Sequence, residues 1–243
     1  MGWSRLRSFP LASKRDIIGK DKETARQGGP ILPFLSVIVP AYNEERRLPS
    51  TLPQVLSYLQ SQGYPWEVIV VYDGSSDGTA AVVKALAASH PGLRLLSTPH
   101  RGKGHAVKSG MLAARGEYRF LCDADLSMPI SHLARFLPPQ LGGYDIAIGS
   151  REAPGARRLG EPPTRHLLSH LFNLSVRLLA VPGLRDTQCG FKCFRAEAAQ
   201  ALFPLQRIAG FGFDVEVLYL AQRQGMRVLE VPIDWHHRPG SKV

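Results

Sequence analysis

Tyr118-Arg119-Phe120-Leu121-Cys122-Asp123-Ala124-Asp125 runs from a short apolar stretch straight into two carboxylates. Five residues are too few for a helix, and an apolar run of that length suits a strand covered on both faces. Upstream the same pattern recurs. Leu35-Ser36-Val37-Ile38-Val39-Pro40, Trp66-Glu67-Val68-Ile69-Val70-Val71-Tyr72 and Leu93 to Ser97 are further buried strands. Between them lie helical stretches from Leu48 to Gln62, from Asp77 to His90 and from Lys103 to Ala114. Asp77 is placed to cap the second, and Pro91-Gly92 to stop it.

Strand and helix in strict alternation predict an α/β fold with a mostly parallel central sheet flanked by helices. Such sheets bind ligands beyond the carboxyl ends of their strands. Polar clusters fall at those ends: Asn43-Glu44-Glu45 after the first strand, Asp73 to Asp77 after the second, Asp123-Ala124-Asp125 after the fourth. Further on, Ile146-Ala147-Ile148 and Phe191 to Phe194 read as strands, and Val228 to Asp234 as a closing strand. His166 to Leu179, Ala196 to Leu202 and Asp214 to Gln224 read as helices.

The 243 residues are 44% hydrophobic and 21% charged, the balance of a globular domain, with a formal net charge of +10. Residues 1–33 hold seven Lys/Arg against three Asp/Glu and lack apolar periodicity. They are expected to form a flexible basic arm, leaving 34–243 as the folded domain. A second basic stretch runs from Arg151 to Arg185. The charge favours an anionic partner such as a phosphate, an acidic membrane surface or nucleic acid. No stretch approaches the length of a membrane-spanning helix. Three cysteines, Cys122, Cys189 and Cys193, make no disulfide framework and read as reduced thiols.

Asp123 and Asp125 are the candidate metal ligands. Mg²⁺ and Mn²⁺ favour carboxylate oxygens and accept phosphate and water as the remaining ligands. Asp73, at a strand end, is a candidate for contact with a nucleotide base or ribose. Lys103, inside Arg101-Gly102-Lys103-Gly104-His105, stands at a helix N-terminus that favours anions. Arg151 and Arg165 offer guanidinium forks to phosphate. Asp214 and Glu216 open a helix; Asp214 is the better candidate for a site carboxylate, and Glu216 reads as a first-turn charge. Arg157, Arg158, His236 and His237 read as surface residues.

As an ordered set these motifs resemble the family 2, GT-A-fold glycosyltransferases, within them the dolichyl-phosphate and polyprenyl-phosphate hexosyltransferases. The residues that carry the likeness are Val37 to Glu44, Asp73-Gly74-Ser75-Ser76-Asp77-Gly78-Thr79, Gly102-Lys103-Gly104, Asp123-Ala124-Asp125, Gly149-Ser150-Arg151 and Asp186-Thr187-Gln188-Cys189-Gly190-Phe191-Lys192. The last, with Phe213-Asp214-Val215-Glu216, is most similar to dolichyl-phosphate β-glucosyltransferases.

The resemblance implies a nucleotide pocket of Pro40, Ala41, Tyr42, Glu44 and Asp73, with Lys103 and Ala124 beside it. It implies a catalytic set of Asp125, Asp214, Arg151, Arg165 and Gln188, with Mg²⁺ or Mn²⁺ on Asp123 and Asp125. The implied reaction is inverting transfer of a hexose, glucose first, from a nucleotide diphosphate-sugar to a polyprenyl or dolichyl phosphate. UDP-glucose is the favoured donor and GDP-mannose the second. The implied setting is a peripheral contact with the cytoplasmic face of a membrane, without nucleic acid. Relatives usually continue beyond the position of Val243, often with membrane-associating elements, and many carry an acidic residue where this chain has Tyr72. The rival outside enzymes is a basic module that binds nucleic acid or acidic membrane; it explains the charge but not acidic clusters at successive strand ends.

Overall fold

The structure, a computed structural model, describes residues 32–160 and 173–237. The arm assigned to 1–33 falls outside them but for Leu32 and Pro33, as does the first half of the helix expected from His166; residues 173–179 are helical.

The alternation is present as expected: β1 (Leu35–Ala41), α1 (Leu48–Gln60), β2 (Trp66–Asp73), α2 (Thr79–Ala87), β3 (Leu93–Thr98), α3 (Lys103–Ala113) and β4 (Tyr118–Leu121). After a 3₁₀ helix (Ile130–Phe136) come β5 (Ile146–Ser150), β6 (Arg157–Leu159), β7 (Lys192–Arg195), α4 (Ala196–Leu202), α5 (Phe213–Arg223), β8 (Val228–Pro232) and β9 (Asp234–His236). The main sheet has the order β3-β2-β1-β4-β7-β5-β8. β3, β2, β1 and β4 run parallel, and β8 runs parallel to β5.

Both faces of this sheet are covered, which is why its central strands are mostly apolar. In β1, Leu35, Val37 and Val39 pack with α1 on one side, while Ile38 packs with α3 on the other. In α1, Leu48, Leu52, Val55, Leu56 and Leu59 are buried at helical spacing, the stripe that holds it to the sheet.

β7 is antiparallel to both neighbours, a feature that periodicity does not report and that a mostly parallel sheet allows. Two expectations need correction. The closing strand breaks at Ile233: its second part, β9, leaves the main sheet and pairs with β6. The helix after β2 begins at Thr79 with Gly78 at its N-cap, so Asp77 lies one position outside and accepts the Thr79 N–H at 3.0 Å.

The antiparallel strand matters for the site. Leu121 lies opposite Lys192, and carrying that register two residues further sets Gly190 against Asp123.

Candidate active site

At the carboxyl ends of β1, β2 and β4 opens a cavity of about 450 Å³. Pro40, Ala41, Tyr42, Glu44, Asp73, Lys103, Asp123, Ala124, Asp125, Arg151, Gln188 and Asp214 all line it. Among the residues singled out from the sequence, Arg165 lies outside the described residues.

The turns after β1 and β2 stitch to each other. Ser75 Oγ accepts the Asn43 N–H, Asn43 Oδ1 accepts the Ser76 N–H, and Thr79 Oγ1 accepts the Glu44 N–H, all at 2.8–3.0 Å. Glu45 and Asp77 take backbone N–H groups across the same seam. Glu45 and Asp77 therefore serve the turns. Glu44 is buried against the cavity, 2.8 Å from Arg47. Tyr72 donates its hydroxyl to the Ser75 carbonyl and closes the same turn.

Asp73, 2% exposed, is already occupied. Its carboxylate accepts the N–H groups of Arg101 and Gly102, each at 3.0 Å, and the Nδ1–H of His100 at 2.9 Å. A carboxylate can only accept here, which assigns the His100 proton to Nδ1. In this fold the first task of Asp73 is to brace the turn that leads into Lys103. His100 in turn stacks on Tyr42, ring centroids 4.1 Å apart, and the two form one wall of the cavity.

Across from that wall, Lys103 Nζ lies 2.8 Å from Asp123 Oδ1. Burial works against the ammonium, but Asp123 first, then Asp214 and Asp125, outweigh it and hold the Lys103 pKa above its ordinary value. A Cβ on residue 190 would stand 2.0 Å from Asp123 Oδ2, so only glycine there leaves room for this carboxylate. Asp125, half-buried, has Oδ1 on the Ser127 N–H at 2.9 Å.

Asp214 is 6% exposed, with Lys192 Nζ 2.6 Å from its Oδ1. Burial raises its pKa; Lys192 and then Lys103 pull back only part of that. Lys192 is 1% exposed and also donates to the Cys189 carbonyl. Lys192, Asp214, Lys103 and Asp123 thus make a chain of alternating charge from β7 to the end of β4.

The far side is set by Arg151, whose Nε and Nη2 donate to Asp186 at 2.6 and 2.8 Å. Burial alone would raise the Asp186 carboxyl; Arg151 outweighs it and holds it at about 2. The Arg151 guanidinium also lies 5.8 Å from the centre of the Trp235 ring. Any phosphate contact by Arg151 would come from a side chain fixed in this way. The bend that sends β9 out of the main sheet brings Trp235 to the cavity wall.

Of the remaining expectations, Arg157 is exposed, but Arg158 is largely buried on Glu152, and His236 and His237 are half-buried. Glu216 does more than complement a helix end: it accepts the N–H groups of Arg207 and Ile208. The three cysteines are buried and free.

A divalent cation fits this site on its donor set. Asp123 and Asp125 line one cavity, Gly190 cradles the first, and among the described residues no cluster of three or more His, Cys, Asp or Glu could hold a metal alone. Two carboxylates leave the other positions to substrate oxygens and water, the habit of Mg²⁺ and Mn²⁺.

A mostly parallel, doubly covered sheet with carboxylates at its strand ends agrees with the family comparison: the pattern of Glycosyl transferase family 2 fits residues 36–203, and this chain belongs to that family. Within it, the chain is 38% identical over 222 residues to a dolichyl-phosphate β-glucosyltransferase of Trichomonas vaginalis, and 36% identical over 224 residues to that of Homo sapiens. The matches cover 86% of this chain and 66% and 69% of those proteins, so it spans about two thirds of their length. Among solved structures, glucosyl-3-phosphoglycerate synthase from Mycobacterium tuberculosis in complex with UDP superposes with a TM-score of 0.62 at 20% identity, over 99% of this chain and 79% of that one. A mannosyltransferase from Pyrobaculum calidifontis in complex with GDP-Man and Mn²⁺ gives 0.53 at 22% identity, over 87% and 58%. Those two likenesses establish the shared GT-A fold.

Proposed function

We propose that this chain moves glucose from UDP-glucose to a dolichyl or other polyprenyl phosphate, as a peripheral enzyme at the cytoplasmic face of a membrane. The observation that carries the reading is the convergence of Asp123, Asp125, Lys103 and Arg151 on one cavity. The relatives named above supply the glucosyl and dolichyl-phosphate part of it.

In this reading Asp123 and Asp125 would hold Mg²⁺ or Mn²⁺, which would supply positive charge to neutralise the leaving diphosphate. Lys103 and Arg151 add fixed positive charge, each already oriented by a carboxylate, so little reorganisation accompanies bond breaking. Pro40, Ala41, Tyr42, Glu44, Asp73 and Ala124 shape the nucleotide end, and Gln188 lies towards the sugar. A phosphate oxygen of the acceptor attacks the anomeric carbon from the face opposite the diphosphate. One C–O bond forms, one breaks, and the configuration inverts. A phosphate acceptor is ionised near neutral pH, so positioning dominates and no strong base is required. Asp214 then adds its negative charge to that of Asp123 in keeping Lys103 protonated; with a hydroxyl acceptor it would be the base.

The test is a panel of labelled UDP-glucose, UDP-galactose and GDP-mannose with a polyprenyl phosphate, with and without Mn²⁺. Label should reach the lipid from UDP-glucose and need the metal. Greater transfer from GDP-mannose would reassign the sugar. Absence of transfer from every donor, together with salt-sensitive binding to duplex DNA, would favour a basic binding module.

A further inference from the structure

The loop between α4 and α5 is built inside out. Leu205, Ile208 and Phe211 are 51%, 44% and 47% exposed. Several of its polar groups face inward. Gln206, 3% exposed, donates Nε2 to the carbonyls of Gly104 and Ile208. Lys108 Nζ donates to the carbonyls of Pro204 and Gln206 at 3.2 and 2.8 Å. The His105 N–H reaches the Ala209 carbonyl at 3.1 Å, and Glu216 takes the N–H groups of Arg207 and Ile208 at 2.9 and 2.8 Å. A Cβ on Gly104 would lie 2.6 Å from the Ile208 carbonyl oxygen, so the loop rests directly on the backbone of α3.

Single exposed apolar residues are ordinary. Three within seven positions, on a loop clamped by side chains from two helices, are a fixed apolar surface. Backbone groups bound within the protein, as at Pro204, Gln206, Arg207, Ile208 and Ala209, and apolar side chains turned out suit contact with an apolar medium. Phe211 also lines the cavity, so the loop is part of its rim. Exposed Arg207 lies within the loop and exposed Arg101 beside it, where Gly102, next to Arg101, packs against the Ala209 carbonyl. Cations beside an apolar surface complement anionic headgroups over acyl chains.

We propose that this loop docks the protein on a lipid bilayer, with Leu205 and Ile208 entering the boundary between headgroups and acyl chains and the cavity mouth at Phe211 brought down to the membrane. The inference rests on the reading above, in which the acceptor's phosphate enters the cavity while its chain stays in the membrane.

The test compares the full chain with its Leu205→Ser/Ile208→Ser variant, neither residue lining the cavity. Binding is measured by flotation with vesicles of phosphatidylcholine and phosphatidylglycerol. The variant should partition about tenfold or more weakly. Its transfer to a short, water-soluble prenyl phosphate should stay within about twofold of wild type, while transfer to a long-chain acceptor in vesicles falls with binding. In parallel, Ile208→Cys carries an environment-sensitive fluorophore. The chain's three cysteines are buried, so the new thiol is the accessible one. Its emission should shift to the blue on vesicles and be quenched by brominated lipid. Unchanged partition of the double variant, or a label that brominated lipid does not quench, overturns the proposal. So does self-association through this loop in place of vesicle binding. A wild type that binds vesicles through the loop yet transfers no sugar would sink the functional reading and leave the bilayer contact standing.

Discussion

Lys103, the first residue of α3, places its ammonium 2.8 Å from Asp123 Oδ1, the carboxylate that follows β4. The two come from neighbouring elements of one βαβ unit, and Asp73 braces the turn before Lys103 through Arg101 and Gly102. This cavity-lining cation is therefore fixed by two carboxylates from two different strand ends.

Lys103→Met should lower kcat/KM for the donor by about 10²-fold or more, because a preoriented charge at the leaving group is lost. Its circular dichroism spectrum should match wild type. Lys103→Arg should recover part of the loss at most, since a planar fork does not replace a compact ammonium. Near-normal turnover of Lys103→Met in steady-state assays would remove this residue from the site.

Gly190→Ala sets a methyl group where Asp123 Oδ2 now lies. The carboxylate must turn away or the β4–β7 pairing must open. Loss of metal-dependent UDP binding, seen by calorimetry, is the expected result, with a smaller loss of thermal stability. Binding equal to wild type would show that Asp123 has another productive position.

Asp186 is fully buried beneath Arg151, its pKa held at about 2 against an ordinary 3.8. That difference corresponds to about 2 kcal/mol of stability at neutral pH. For a depressed carboxyl the contribution is complete above the ordinary value and disappears as pH falls through the folded one. Asp186→Asn should therefore be less stable than wild type in urea unfolding at pH 7. The gap should narrow as pH drops from about 4 to about 2. A gap independent of pH would mean the pair contributes by shape alone.

Lys192→Met leaves Asp214 buried without its 2.6 Å partner. Breaking a buried pair from one side costs about 3–5 kcal/mol, while removing both charges costs far less. Lys192→Met/Asp214→Leu should thus be more stable than Lys192→Met in chemical unfolding. The reverse order would place the stabilising role of Lys192 in its bond to the Cys189 carbonyl.

The first half of the fold was legible because β1, β2 and β4 are buried on both faces, and they and the edge strand β3 are punctuated by helices. The second half was not, because its decisive features are pairings between distant residues. Nothing local to Lys192–Arg195 says that it runs antiparallel, and β6 and β9 are three residues each. The site was legible as a set of acidic strand ends, but not the division of labour within it: Asp73, Asp77 and Glu45 look alike in sequence, and only contacts reveal that backbone N–H groups take them up. Lys192 was missed as a site residue although it carried a signal. A single lysine inside Gly190-Phe191-Lys192-Cys193-Phe194 is a charge in a buried strand and needs a partner. Trp235, Phe211 and His100 gave no such signal; they reach the cavity through the bend at Ile233, the α4–α5 loop and the turn after β3.

The most direct test of the shared cation site is calorimetric titration of UDP into wild type and Asp125→Asn across a series of Mn²⁺ concentrations. Wild type should bind UDP more tightly as Mn²⁺ rises, and Asp125→Asn should keep only its weak, metal-independent affinity. Equal affinities for the two proteins at every Mn²⁺ concentration would contradict a diphosphate bridged to this pair of carboxylates.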